Sequence, residues 1–148
     1  MQVYRITLSK WSSELVASGN PARWNSKGKF VLYTAATRAL ACLENVVHRS
    51  GEGLDSRFHV MVISIPNTLK ISKLLSGDLP DNWKDYSSYS DCQALGDNWY
   101  EQERTAVLKV PSAIIPEECN YLLNTKHPDF SKIDLMQTEE FFFDQRLK

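Results

Sequence analysis

The 148-residue sequence has no CxxC pair, no GxGxxG turn, no Walker lysine loop and no apolar run approaching the ~20 residues that span a bilayer. Cys42, Cys92 and Cys119 are odd in number and far apart, so neither a disulfide framework nor a zinc site is expected, and a reducing cytoplasm is the expected setting. An excess of one charge is also missing. Lys plus Arg number 17 against 18 Asp plus Glu, which leaves no global field for gripping a polyanion by counterion release. The amino terminus MQVYRITLSKW alternates polar and apolar residues where an export signal would need an apolar core. Direct nucleic-acid binding, membrane anchoring and export are therefore not expected, and without a glycine cradle any nucleotide would have to be held by side chains.

Hydrophobic residues make up 43% and charged residues 24%, the balance of a globular chain able to bury one core, and a single domain over 1–148 is expected. Gln2 to Thr7 alternates with period two and predicts a half-buried strand. The run SGNPARWNSKGK (18–29) reads as a loop with an Arg-Trp-Asn centre, followed by a short strand FVLYT (30–34). Thr37 is a candidate N-cap for a helix from Arg38 to Arg49, whose Leu40, Leu43, Val46 and Val47 recur at three- and four-residue spacing. Further strands are expected over Arg57–Pro66, Ala106–Val110, Tyr121–Leu123 and Phe141–Phe143, with a polar loop over Ser76–Ser90. A second helix over Asp91–Glu103 is expected to start near a Ser90 cap and to be weakened by Gly96. Strands flanking isolated helices without regular alternation predict an α+β fold.

Several chemistries find little support. Glu44 and His48 have the spacing of a helical metal-ligand pair, but no HExxH or cysteine cluster accompanies them, so a surface ion pair is the commoner outcome. Ser112 lacks a GxSxG elbow, and Cys42 on the inner side of its helix reads as core. The more informative set is Arg23, Tyr33 and Glu44, close together along the chain. Arginine offers a planar charged fork for phosphate, tyrosine a flat face for a heterocycle, and glutamate an acceptor for ribose hydroxyls or a partner for developing positive charge. Taken singly, each fits a salt bridge, a core tyrosine or an exposed helix acid at least as well.

Five ordered blocks change that balance: VYRI (3–6), ARWNSKGKFVLYTA (22–35), RALACLENVVH (38–48), VPSAII (110–115) and NYLLNTKHPDF (120–130). Through them the chain resembles, nearly end to end, the RES domain family of bacterial toxins paired with Xre-type antitoxins. Two positions depart from that pattern: Ala22, where glycine commonly precedes the Arg-Trp pair, and Thr125, where proline often follows LLN. The resemblance implies an ADP-ribosyltransferase-like mixed fold with a cleft for NAD as substrate and no metal. Carried over by position, Arg23, Tyr33, Glu44 and Ser112 are the expected reactive set, with Arg5 as a further pocket residue; Asn25, which shares the loop with Arg23, is a further candidate for the pocket. Arg23 would hold the pyrophosphate or a ribose oxygen, Tyr33 would pack on nicotinamide, Glu44 would face the nicotinamide ribose, and Ser112 would bond that ribose or an acceptor. Trp24 and Lys27 share the loop and are secondary candidates. Implied outcomes are NAD loss by hydrolysis or phosphorolysis, or ADP-ribosyl transfer to a protein; a non-catalytic nucleotide-binding module is the contrasting possibility. The implied partner is an antitoxin that covers the cleft and carries the DNA-binding part.

Overall fold

The computed structural model describes residues 1–49 and 57–147. Its strands are β1 (Gln2–Leu8), β2 (Val31–Ala35), β3 (Phe58–Ser64), β4 (Ile71–Lys73), β5 (Val107–Pro111), β6 (Cys119–Asn124) and β7 (Asp134–Phe141), with helices α1 (Arg38–His48) and α2 (Tyr89–Gln102). All seven strands form one sheet in the order β4-β5-β6-β2-β1-β3-β7, parallel between β4 and β5 and antiparallel elsewhere. This is the mixed α+β architecture expected from the pattern of elements.

The sheet's two faces are sorted by strand alternation. On β2, Val31, Tyr33 and Ala35 face the helices, while Leu32 joins Val3, Met61, Ile63 and Leu123 in the core of the opposite face. Helix α1 lays Leu40 and Ala41 against Ile6, Ala35, Phe58 and Val60. Thr37 caps it as expected, accepting from the Leu40 amide at 3.0 Å, and Arg49 is its C-cap rather than its last helical residue. Helix α2 covers a second cluster in which Trp24, Trp83 and Trp99 pack with Leu108 and Leu122.

Helix α2 starts at Tyr89, earlier than the Ser90 signal suggested. Ser88 occupies the cap position, but its hydroxyl donates to Asn82 Oδ1 at 2.7 Å and leaves the helix amides uncapped. The region expected to be wholly loop carries two short 3₁₀ turns, Ser76–Asp78 and Tyr86–Ser88. The last strand also corrects the reading of the phenylalanine run. Pairing with β3 uses Asp134 through Phe141, and Phe142 is exposed beyond it, while Phe143 leaves the ladder and packs edge-to-face on both Phe58 and Phe141.

Candidate active site

Two neighbouring strands fail to zip together. β1 meets β2 in register only at Tyr4–Ala35, whereas β1 pairs with β3 along its whole length and β2 pairs with β6 over five residues. Past that single rung the strands diverge, and a cleft of about 830 Å³ opens between them, lined on one side by Arg5 to Leu8 and on the other by Tyr33 to Ala35. That volume lies in the range of small-molecule sites. Arg5 spans the opening, donating from Nη1 to the Tyr33 carbonyl at 3.0 Å.

Glu44 sits at the closed end of this split. The first buried turn of α1 sets the helix on the sheet so that Glu44, one turn after Leu40, points back over the Ala35 rung. Its Oε1 accepts from Asn120 Nδ2 at 2.7 Å and from the Ser112 hydroxyl at 2.9 Å, while Oε2 lies 3.2 Å from His48 Nε2. Asn120 is the β6 residue opposite Ala35, so one rung of the sheet fixes Tyr4, Ala35 and the carboxylate's donor together. Burial pushes the Glu44 carboxyl up, but the bonds from His48, Asn120 and Ser112 outweigh it and hold the group below its ordinary value. The carboxylate is therefore ionised at neutral pH.

Ser112 is fully buried and takes no part in lining the cleft. Its oxygen accepts from the Ile114 and Ile115 amides at 3.1 and 3.2 Å while its proton goes to Glu44. A direct bond from Ser112 to a ribose is thus not available in this geometry; the side chain stands behind the acid.

The Arg-Trp-Asn loop is built from inside. Asn25 is 1% exposed, donating from Nδ2 to the Asn20 and Ser26 carbonyls at 3.0 Å and accepting the Tyr33 hydroxyl at 2.5 Å. It does not line the cleft, so the expected pocket role of Asn25 is replaced by one of shaping the loop. Tyr33 lines the cleft with its ring, and its hydroxyl also accepts from the Trp24 amide at 3.2 Å; burial, the main cause, pushes this phenol far above its ordinary value. Trp24 packs against Trp83 beneath the loop, almost wholly buried, and also lines the cleft, whereas Lys27 is exposed away from it.

Helix α2 holds the loop from below. Gln93 donates to the Ala22 and Asn25 carbonyls, and Asp97 accepts the Ser26 amide at 2.9 Å. Gly96 lies between them so close to the loop that a Cβ there would stand 1.7 Å from the Trp24 carbonyl oxygen. The glycine that weakens α2 by propensity is what lets the helix touch the loop backbone. Ala22 itself keeps an ordinary negative φ, so the missing family glycine imposes no strain there.

Arg23 lines the cleft with its guanidinium tied to the Trp83 carbonyl at 2.8 Å and the Lys84 carbonyl at 3.2 Å, above the rings of Trp83 and Tyr89. Together with Arg5, Arg49 and Lys84 it makes the lining cationic, against one carboxylate among the described residues, that of Glu44. Burial pushes the Arg5 guanidinium down from its ordinary value, yet arginine stays charged in proteins.

The cleft thus gathers Arg5, Arg23, Tyr33 and Glu44 as lining residues and leaves Ser112 and Asn25 behind its walls. Sequence reading passed over Asn120, which no short motif marks: a lone asparagine in a strand becomes important only through the rung that sets it beside Glu44.

A model of the RES domain matches residues 2–144. The chain belongs to the RES domain family. Among curated relatives of this RES domain protein, a "Prs ADP-ribosylating toxin" from Sphingobium sp. is 37% identical over 84% of this chain and 79% of its own length. A "Toxin Res" from Yersinia enterocolitica is 33% identical, with all of both chains covered. Among solved structures, the M. tuberculosis MbcT–MbcA toxin–antitoxin complex contains a chain that superimposes with a TM-score of 0.77, at 17% identity, over 95% of this chain and 84% of that one. At that identity the likeness concerns the fold, and it agrees with the seven-stranded mixed sheet. Among the described residues, no helix is long and apolar enough to cross a membrane.

Proposed function

We propose that this RES domain protein is the toxin of a toxin–antitoxin pair and that it breaks the nicotinamide–ribose bond of NAD. One observation carries the reading: an ionised glutamate, held by three hydrogen-bonding partners, stands at the closed end of a cleft whose other charged lining residues, among those described, are cations. NAD has the complementary form, with a diphosphate for the cations and a ribose that gains positive charge as its base departs.

As the bond from C1′ to nitrogen breaks, its electron pair leaves with nicotinamide, which is already cationic in NAD and needs no strong acid. Positive charge then develops on the ribose, and the Glu44 carboxylate stabilises that state more than the ground state. Because Asn120 and Ser112 hold Oε1 beforehand, little reorganisation is needed during the reaction. Arg23 and Arg5 would grip the diphosphate, and the Tyr33 ring would form a wall for the nicotinamide half. The Tyr33 hydroxyl is committed to the loop, bonded to Asn25, so only the ring would face the ligand.

The products of this reading are nicotinamide and ADP-ribose, free or phosphorylated, with NAD loss as the toxic outcome. A second reading sends the ADP-ribose to a protein side chain; it is favoured by the ADP-ribosylating name of the Sphingobium relative. The antitoxin partner is supported by the toxin–antitoxin complex in which the structural neighbour was solved. It would be of the Xre type, covering the cleft and carrying the DNA contact. The test is to incubate the protein with NAD, with and without inorganic phosphate and with cell extract, and to follow nicotinamide release and product mass. Release without extract supports NAD breakdown, and the mass identifies water or phosphate as acceptor. Release only with extract, with a gain of ADP-ribose on protein, supports the second reading. No release in any arm contradicts both.

A further inference from the structure

Three of the four tryptophans are buried under α2, but Trp11 is 56% exposed. It belongs to a short 3₁₀ turn, Ser9–Trp11, that follows β1 directly, and it lines the cleft. Among the described residues, the large hydrophobic side chains exposed to solvent include one other that lines this cleft: Val47 on α1, 58% exposed. Both leave apolar surface open within a lining whose charges are mostly cationic, and the Trp11 indole offers a flat face to a planar ligand.

Their position follows from the strand register. Tyr4, Ala35 and Asn120 share the rung at the closed end, beside Glu44. β1 runs outward from that rung, so Leu8 lies about 13 Å further along the strand at a rise of ~3.3 Å per residue, and Trp11 follows it at the mouth. A dinucleotide with its nicotinamide ribose at Glu44 must send its other half outward past the arginines and reach this mouth. Lys10 holds its Nζ 5.4 Å from the Trp11 ring centroid, placing a cation beside one face of the indole.

Resting on the reading that NAD is the substrate, we propose that Trp11 forms the adenine subsite. The base stacks on the face of the indole that Lys10 does not cover, and Lys10 adds charge near the adenosine phosphate. Stacking on an aromatic face tolerates any base, so this subsite supplies affinity for the adenosine half and leaves bond breaking to Glu44.

The experiment measures AMP binding by calorimetry and nicotinamide release from NAD for the unaltered protein, Trp11→Ala, Trp11→Phe and, as a surface control outside the cleft, Met136→Ala. Trp11→Ala is expected to weaken AMP binding and raise KM for NAD by about tenfold, the scale of losing one base–aromatic stack. Its kcat should stay within about twofold, since binding is lost equally from ground and transition states. Trp11→Phe should recover most of the affinity, and Met136→Ala should behave as the unaltered protein. AMP binding unchanged in Trp11→Ala, a kcat that falls together with affinity, or an unaltered protein that does not bind AMP would each overturn the subsite. If the unaltered protein binds AMP through Trp11 but releases no nicotinamide, the cleavage reading fails and the subsite stands.

Discussion

Ser112 reaches no solvent and Glu44 lines the cleft, yet one 2.9 Å hydrogen bond joins the serine hydroxyl to the carboxylate. On the proposed reading the serine positions the acid, and its own oxygen is fixed by two amides from the following turn. Ser112→Ala should lower kcat for nicotinamide release by about tenfold or more while leaving KM within about twofold, because the acid loses orientation and the cleft loses no contact. A raised KM with an unchanged kcat would instead show that the hydroxyl touches substrate. Steady-state kinetics separates the two outcomes.

On the proposed reading, Glu44 would set the acid limb of the pH profile. Burial raises its pKa, and the bonds from His48, Asn120 and Ser112 lower it further than burial raises it, so the net value lies below the ordinary 4.5. Any stability that this shift contributes is present above the ordinary carboxylate range and lost as pH falls through the lowered value. Activity should accordingly persist to pH 5 and decline only below the ordinary range, roughly under 4.5. Asn120→Ala removes a donor to the ionised form and should move the limb upward. An acid limb that stays in place in this variant would contradict Asn120's role.

Gly96→Ala tests the support of the Arg-Trp-Asn loop. A methyl group there meets the Trp24 carbonyl oxygen at 1.7 Å, so either α2 or the loop must shift. The variant should lose about 1–3 kcal/mol of stability in denaturant unfolding, the range for overpacking, despite alanine's higher helix propensity. It should also raise KM for NAD, since Gln93 and Asp97 would no longer reach the loop carbonyls and amide. A stabilised variant with unchanged KM would show that the helix and loop move independently.

Arg23→Lys keeps the charge but loses the fork. The guanidinium holds two carbonyls of the Trp83–Lys84 segment and lies over two aromatic rings, a geometry that an ammonium group cannot reproduce. The variant should bind NAD about tenfold more weakly or worse, with Arg23→Ala reducing turnover by about 100-fold. Equal affinity in the lysine variant would mean that charge alone matters at this position.

What the sequence made legible were features carried by local periodicity and short-range chemistry. Alternation disclosed β1, the Thr37 cap and the apolar spacing disclosed α1, and the spacing of Glu44 and His48 disclosed their contact. Features set by distant pairing were not readable. The three-residue strand β4 is too short for a period, and the edge strand β7 is mostly exposed, so its polar residues resemble a loop while the neighbouring phenylalanines mimic a strand. The split between β1 and β2, the rung that brings Asn120 to Glu44 and the carbonyls that hold Arg23 all arise between residues far apart in the chain. Asn25 illustrates the same limit from the other side, because its position in a motif did not distinguish shaping the loop from touching a ligand.

The most direct test of the account is the single-turnover rate of nicotinamide release from saturating NAD by Glu44→Gln, which keeps the side chain's size and removes its charge. A rate at least about 100-fold below that of the unaltered protein, with NAD affinity retained, is the predicted result. Release at the unaltered rate would contradict the assignment of this carboxylate to the breaking bond.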